Sequence, residues 1–140
     1  MKRRYCIALI ILLSIFLYSG TVVSQEQGKS EEDSLLIQKF AFCESVKDRE
    51  PVGVSTEFPS DIGRVYLWTS IYGADQPTEI KHVWYYGVQK MREITLGIKY
   101  RRTRTWSYKN ILPQWAGDWH VEVVDEQGRV LKKLSFKIIE

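Results

Sequence analysis

The chain has 140 residues and a formal net charge of +3, and its length suits one domain with a short leader. Three of the 20 Lys and Arg residues lie at positions 2–4, which leaves 17 cations against 17 Asp and Glu residues. A neutral remainder is not typical of nucleic-acid-binding proteins, so we expect no nucleic-acid partner. Of the two cysteines, only Cys43 lies beyond the leader. Hydrophobic packing rather than an internal disulfide must therefore stabilise the fold.

Residues 1–24 have the pattern of a signal peptide. Three cations precede an apolar run over residues 5–18, and Val22 and Ser24 have the spacing that a signal peptidase recognises. We predict cleavage after Ser24. The alternative is an uncleaved signal anchor, because the apolar stretch approaches the roughly 20 residues that span a bilayer. Either form predicts export to the periplasm or cell surface, with membrane contact only through this segment if it is uncleaved.

Residues 25–39 are predicted to form a polar, disordered tether. Glu, Gln and Ser dominate residues 25–34, which have too little apolar surface to fold alone. Residues 35–39 predict either a short helical turn or the lead-in to the first strand.

Residues 40–140 predict an all-β domain. Short apolar stretches alternate with Gly- and Pro-containing turns at the spacing of an antiparallel sandwich. The pattern predicts seven or eight strands, no long helix and an immunoglobulin-like fold. The clearest predicted strands are 40–46, 64–71, 79–87, 88–94 and the two arms of a hairpin that turns at 125–128. Residues 101–110 predict either a further strand or an extended loop.

The stretch 79–87 is the predicted central strand. Ile80, His82, Trp84 and Tyr86 share one face of an extended chain, and a Gly ends the stretch. We expect Trp84 to fill the centre of the core. Because each aromatic side chain buries about 150–250 Å², we expect two further indoles to contribute to the same structural core. These are Trp68 and Trp119.

The candidate binding residues lie in a basic stretch. Between positions 81 and 109 the chain has eight cations and a single acid, Glu93. In one interpretation these cations pair with acidic segments elsewhere and protect a sheet edge. In the other they form a cationic and aromatic platform for an anionic glycan, a carboxylate-bearing peptide or an acidic patch on an envelope protein. The platform would consist of Arg102, Arg104, Trp106, Tyr108 and Lys109.

His82 is a further candidate for ligand binding, at a cleft beside the central strand. The alternative is a neutral core histidine that bonds to a backbone carbonyl or a carboxylate. His82, His120 and Cys43 do not have metal-ligand spacing, so we predict no metal and no cofactor. Cys43 between Phe42 and Glu44 favours a small buried side chain over a nucleophile. We therefore predict no catalytic residues and no enzyme.

Six short motifs resemble a known family. They are Phe42-Cys43, VKDREP at 46–51, GRVY at 63–66, HVWYY at 82–86, RTWS at 104–107 and GDW at 117–119. Together they are similar to the bacterial family called domain of unknown function 2914 (DUF2914), over roughly residues 41–139. The resemblance implies an exported or membrane-tethered bacterial domain and carries no assigned activity.

The functional expectation is an exported, non-enzymatic binding or interaction module of the bacterial envelope. Sandwich domains of this size are often used in this way, which is an argument from analogy of fold. The partner would contact the surface around Arg104 and Trp106 or add a strand to an exposed edge. The alternative is a structural accessory domain of a membrane-associated assembly that binds no small ligand. The sequence does not specify the oligomeric state.

Overall fold

The structure is a computed structural model that describes residues 34–140. The predicted leader and residues 25–33 of the predicted tether lie outside this range. Within it the chain forms nine strands and no helix, so no helix in residues 34–140 has the length and apolarity of a membrane span. The strands are β1 (Leu36–Lys47), β2 (Glu50–Val54), β3 (Glu57–Pro59), β4 (Arg64–Tyr72), β5 (Thr78–Tyr86), β6 (Gln89–Ile98), β7 (Arg102–Asn110), β8 (Gly117–Asp125) and β9 (Val130–Ile139).

The strands form two sheets that pack face to face. The four-stranded sheet has the order β2-β1-β4-β7, and the five-stranded sheet has the order β3-β9-β8-β5-β6. Among the seven long strands, the chain changes sheet between β4 and β5, between β6 and β7 and between β7 and β8. This connectivity and a buried Trp on the third long strand, β5, define an immunoglobulin-like sandwich. The predicted fold class is confirmed.

The core consists of the inward-facing side chains of both sheets. The predicted alternation in β5 is confirmed, because Ile80, His82 and Trp84 are all fully buried. Aromatic rings connect the two layers: Phe136 of β9 lies 6.0 Å from Trp84 and 4.6 Å from Phe42 of β1, measured between ring centroids. Burying a large apolar side chain contributes about 2–3 kcal/mol relative to its exposure. Packing of this kind stabilises a sandwich that has no disulfide within residues 34–140.

Two of the three predicted core indoles lie between the sheets, and the third does not. Trp84 and Trp119 are 0% and 1% exposed and belong to the central apolar cluster. Trp68 is also buried, but its position in β4 places it on the face opposite to Val65 and Leu67, which point inward. Trp68 is therefore covered by the β1–β2 hairpin on the outside of the four-stranded sheet. Trp68 is thus a buried residue of the structural core, although its burial is beneath the hairpin and not between the sheets.

The remaining differences from the predicted strand pattern occur at the sheet edges and near the start of the domain. β1 begins at Leu36, earlier than the predicted domain boundary at Phe40. β2 and β3 lie in a stretch that its Pro and Gly content predicts as turns, which raises the observed number of strands to nine. Both are short edge strands, where a missing proline N–H does not interrupt a ladder. β3 also pairs with β9 in parallel, so the sandwich is not wholly antiparallel.

Candidate functional site

The outer face of the four-stranded sheet gathers most of the predicted binding residues. In the register of β4 and β7, each of four predicted residues lies opposite a side chain of the central strand β4. Because alternate residues share a face, all of them point away from the core. The cross-strand pairs are Tyr72–Arg102, Ser70–Arg104, Trp68–Trp106 and Tyr66–Tyr108.

The tip of the β1–β2 hairpin folds over this outer face. Asp48 and Arg49 form its turn with φ of 51° and 65°, a left-handed conformation that non-glycine residues rarely adopt. The indole Nε1 of Trp68 donates a hydrogen bond to the carbonyl of Arg49 at 2.9 Å. The Arg49 guanidinium lies 6.0 Å from the centre of the Trp106 ring, within the range of a cation–π contact. The hairpin tip therefore covers Trp68 and leaves Trp106 half-buried.

Arg104 is engaged within the domain. Its Nη1 lies 2.5 Å from Oε1 of Glu50 in the hairpin, and its backbone carbonyl accepts a 3.4 Å hydrogen bond from Arg49. The side chains of Arg104 and Glu50 are 39% and 53% exposed, so this pair contributes about 0–1 kcal/mol. For Arg104 the structure supports the interpretation in which the basic stretch pairs with acid elsewhere in the chain.

Arg102 differs from Arg104, because it is exposed and forms no ion pair with any residue of 34–140. Lys39 of β1 is exposed on the same face and is likewise without an ion pair in the described part of the chain. Ser70 lies between Lys39 and Arg104 in the register, and its buried hydroxyl oxygen has no hydrogen-bond partner within residues 34–140. The cross-strand row Lys39–Ser70–Arg104 therefore holds two cations and, between them, a hydroxyl group without a hydrogen-bond partner among residues 34–140.

Tyr108 lies in a cationic environment at the other end of β7. The guanidinium carbons of Arg64 and Arg92 lie 4.1 and 4.9 Å from the centre of its ring. Arg92 also donates a 2.7 Å hydrogen bond to the backbone carbonyl of Tyr108. Arg64 donates to the Tyr66 hydroxyl at 3.4 Å, and this hydrogen bond raises the pKa of the guanidinium. The Tyr108 ring is therefore flanked by two guanidinium groups.

Lys109 does not join the predicted platform. It follows Tyr108 in β7 and lies opposite Val65, so its side chain points to the inner face at the end of the sandwich. Its Nζ lies 4.6 Å from the centre of the Trp115 ring and donates to the carbonyl of Asn110. Burial, together with the charge of Arg92, lowers the pKa of Lys109. The prediction that Lys109 shares a surface with Arg102 and Arg104 is wrong.

His82 is not a surface residue either. It is fully buried between the sheets, where its Nδ1 lies 2.8 Å from the hydroxyl oxygen of Ser107 in β7. The predicted ligand-binding role is therefore wrong, because the alternation of β5 points the ring into the core. The expected carbonyl or carboxylate partner is a serine hydroxyl instead. The same oxygen accepts a 3.0 Å hydrogen bond from Nε1 of Trp84.

These contacts favour one histidine tautomer. Trp84 only donates, so it uses a lone pair of the Ser107 oxygen and leaves the serine hydroxyl hydrogen free to donate to Nδ1 of His82. Nε2 then carries the imidazole proton, and it has no hydrogen-bond partner within residues 34–140. Burial lowers the pKa of His82 to about 3, so the ring is neutral at physiological pH.

The other candidates for chemistry are dispersed over the fold. Cys43 is buried, and its burial raises the pKa of the thiol, which disfavours the thiolate. Ser107 is sealed between the sheets, whereas His120 lies on the outer face of the five-stranded sheet, stacked on Tyr85 with ring centroids 4.6 Å apart. Within residues 34–140 no three His, Cys, Asp or Glu side chains are grouped to hold a metal ion.

A small cleft lies at one end of the sandwich, between the β4–β5 loop and the β8–β9 turn. Its volume is about 170 Å³, and Gln76, Thr78 and Gln127 contribute to its walls. Two nearby carboxylates are already engaged, because Asp125 binds Arg129 at 2.7 Å and Asp75 binds Arg101 at 2.5 Å. The cleft therefore offers few free polar groups to a ligand.

Several residues that lie on or contact the outer face were not among the predicted binding residues, for example Tyr66, Arg49 and Arg92. The position of Tyr66 is readable from the sequence, because alternation in β4 places it on the face opposite to Val65. No sequence pattern indicated that Arg49 and Arg92 contact β7. They reach β7 from a hairpin tip and from the other sheet, and these contacts exist only in the folded chain.

The fold and the outer face together define the class of protein: residues 34–140 form a single immunoglobulin-like sandwich domain with a basic and aromatic surface. Residues 77–138 match the family described as protein of unknown function (DUF2914), which supports the resemblance seen in the motifs. The matched segment is shorter than the resemblance inferred from the motifs, since the motifs at 42–66 lie outside it. No curated protein matches the chain.

Proposed function

We propose that the chain is an exported, non-enzymatic binding module of the bacterial envelope that binds a carboxylate- or sulfate-bearing partner on the outer face of its four-stranded sheet. An anionic glycan and an acidic patch of an envelope protein both have this chemistry. The observation that carries the proposal is the charge on that face. Four cations (Lys39, Arg49, Arg102 and Arg104) lie on or over this face, against the carboxylate of Glu50 and that of Asp48 in the hairpin turn.

The geometry suits anion recognition without catalysis. Guanidinium groups bind carboxylates through two parallel hydrogen bonds, and Arg102 is exposed with no internal ion pair among residues 34–140. Trp106 and its neighbour Arg49 offer a flat ring and a stacked cation at the centre of the face, which suits the apolar side of a sugar. The buried position of Ser107 and Cys43 supports a role that does not use a nucleophile.

Retention of the full-length protein on a heparin column tests the proposal. We expect binding at low ionic strength and elution by about 0.2 M salt, because exposed charges are screened over about 10 Å at 0.1 M. Arg102→Ser should elute at clearly lower salt. Arg101→Ser is the matched control, since it removes the same charge from a neighbouring position where the arginine already binds Asp75.

A second variant tests the aromatic part of the site. Trp106→Leu should weaken retention although it leaves the net charge unchanged, and its circular dichroism and melting curve should report an intact fold. Pull-down from envelope extract with the wild type and with Arg102→Ser then identifies the natural partner. Absence of retention would refute anion binding by this face. Equal loss in Arg102→Ser and Arg101→Ser would show that net charge alone governs retention and would equally refute a site on this face. Either result would favour a structural accessory domain without a ligand.

A further inference from the structure

The two sheets have four edges, and three of them are protected against the addition of another strand. The short β2 includes Pro51, which has no N–H to donate. β3 has only three residues and ends at Pro59. Natural sandwiches use short edges and prolines in this way to prevent pairing with other chains.

The third protected edge is β7, whose outward backbone carbonyls are occupied by arginines. The carbonyl of Thr105 accepts a hydrogen bond from Thr69 of the neighbouring β4, so the carbonyls of the even-numbered residues face away from the sheet. Two of these outward carbonyls accept side-chain hydrogen bonds. Arg49 donates to Arg104 at 3.4 Å, and Arg92 donates to Tyr108 at 2.7 Å.

The fourth edge, β6, has no comparable protection. It runs for ten residues, Gln89–Ile98, and within residues 34–140 it pairs with β5 alone. No side chain in the described part of the chain donates to a backbone carbonyl of β6. Met91 forms a bulge near the start of β6, and beyond it the strand pairs regularly with β5 from Arg92 to Ile98. A regular edge of this kind presents a row of N–H and C=O groups, which is the template on which extended peptides add as strands.

Apolar groups surround this edge. Val88 just before β6 is 100% exposed and Tyr100 just after it is 72% exposed, higher than any other large hydrophobic residue of 34–140. Ile94 and Leu96 on the inner face of β6 are half-buried, at the side of the sandwich where the two sheets make few contacts. An added strand would cover these groups with every second side chain.

The charge around β6 selects among possible occupants. Four cations (Lys81, Lys90, Arg92 and Lys99) and two acids (Glu79 and Glu93) lie on or beside this edge, so its net charge is positive. Glu93 is already engaged, because hydrogen bonds from Lys90 and then from Lys81 lower the pKa of its carboxyl. A second copy of this chain would bring the same cations together, whereas an acidic strand would neutralise them.

We infer that β6 is a docking edge at which an extended acidic segment of a partner protein adds as a further strand of the five-stranded sheet. The segment has apolar side chains at alternate positions, which cover Ile94 and Leu96, and carboxylates between them, which pair with the cations around β6. This site is distinct from the outer face of the four-stranded sheet, and the inference does not rest on the function proposed for that face.

The test uses the full-length protein and a synthetic peptide in which Glu alternates with Val, with blocked ends. We expect the peptide to slow hydrogen exchange at alternate β6 amides and to shift their resonances. A peptide of the same composition with a central proline, and one in which Lys replaces Glu, should bind clearly less well, because they lack the backbone donor and the charge respectively.

A matched pair of variants completes the test. Thr95→Asp places a carboxylate in the middle of β6, opposite Lys81, where the pair preserves the fold. It should weaken binding of the Glu and Val peptide by up to about fivefold, since like charges facing each other across strands are unfavourable. Ser135→Asp makes the same charge change on β9 and should leave the affinity unchanged.

Three results would overturn the inference. They are equal binding of the proline-containing peptide, absence of protection at β6 amides, and concentration-dependent self-association of the chain that Thr95→Asp abolishes. The last would assign β6 to a second copy. Heparin retention reports on the outer face independently, so failure of either proposal is recognised separately.

Discussion

Mild acid should destabilise this protein through a single buried imidazole. His82 is fully buried and faces uncharged neighbours, because its cross-strand partners are Ile94 and Val123 and its side-chain partner is Ser107. A proton added to the ring would place an unpaired charge in the core. Burial accordingly lowers the pKa of His82 from 6.5 to about 3 in the folded chain.

The sign and magnitude of the effect follow from linkage. Between the two pKa values the unfolded chain binds a proton at His82 and the folded chain does not, so acid favours unfolding. The contribution to stability is complete above pH 6.5 and is lost as the pH falls toward 3. One unit of pKa difference corresponds to about 1.4 kcal/mol. Acidification to about pH 4.5 should therefore lower the free energy of unfolding by about 2–3 kcal/mol.

Urea unfolding followed by tryptophan fluorescence, repeated at intervals from pH 7 to about pH 4.5, measures this loss. The chain has two histidines, so His120→Gln is the matched control. Burial and the charge of Lys133 lower the pKa of His120 as well, but this ring is half-exposed on the outer face. We expect the control to keep most of the pH dependence and His82→Gln to lose it, whatever its stability at neutral pH.

A flat stability profile in the wild type over this range would refute the reasoning. So would a dependence that persists in His82→Gln and disappears in His120→Gln. The buried Asp125 carboxyl does not account for such a loss, because the hydrogen bonds and charge of Arg129 keep the pKa of that carboxyl low despite its burial.

Three further substitutions probe the contacts described above. Ser107→Ala removes the partner of two buried nitrogens and should cost about 2–4 kcal/mol in urea unfolding, whereas the exposed Ser135→Ala should cost less than about 0.5 kcal/mol. Trp68→Phe removes the hydrogen bond to the hairpin tip and should cost about 1 kcal/mol or more, with faster amide exchange in the β1–β2 turn; unchanged exchange there would contradict the role assigned to this bond. Gly53→Ala should destabilise by about 1–3 kcal/mol, because φ is +72° and the new methyl group would meet the Glu44 side chain at 2.7 Å. The double variant with Glu44→Ala should recover part of this loss, and equal stabilities of the two would contradict a clash.

Much of the fold was predictable because period-two alternation reports directly on burial. In β5 the alternation of Ile80, His82 and Trp84 identifies the inner face without knowledge of any partner strand. The β8–β9 hairpin was equally readable from its turn, in which Gly128 adopts φ of 82°. β2 and β3 were not predictable, since Pro and Gly weaken the strand signal and the pairing of β3 with β9 joins distant segments.

The candidate site was predictable only in part, for a related reason. The alternation of β7 places Arg102, Arg104 and Trp106 on one face whatever the fold around them. Lys109 has the opposite parity, so the same rule excludes it, and grouping it with the others by charge alone was the error. Whether each cation is free or paired depends on residues far along the chain, as the bond between Arg104 and Glu50 shows.

The sequence by itself determined that this is a two-layered β domain closed by Trp84 and Trp119, because side-chain alternation and apolar content are local properties of the chain. Only the tertiary structure decided which surfaces remain available to a partner. Burial of Trp68 beneath a hairpin, the arginine caps on β7 and the unprotected edge of β6 all arise from contacts between segments that are distant in sequence. Such contacts are set by the packing of the whole sandwich, and no local pattern encodes them.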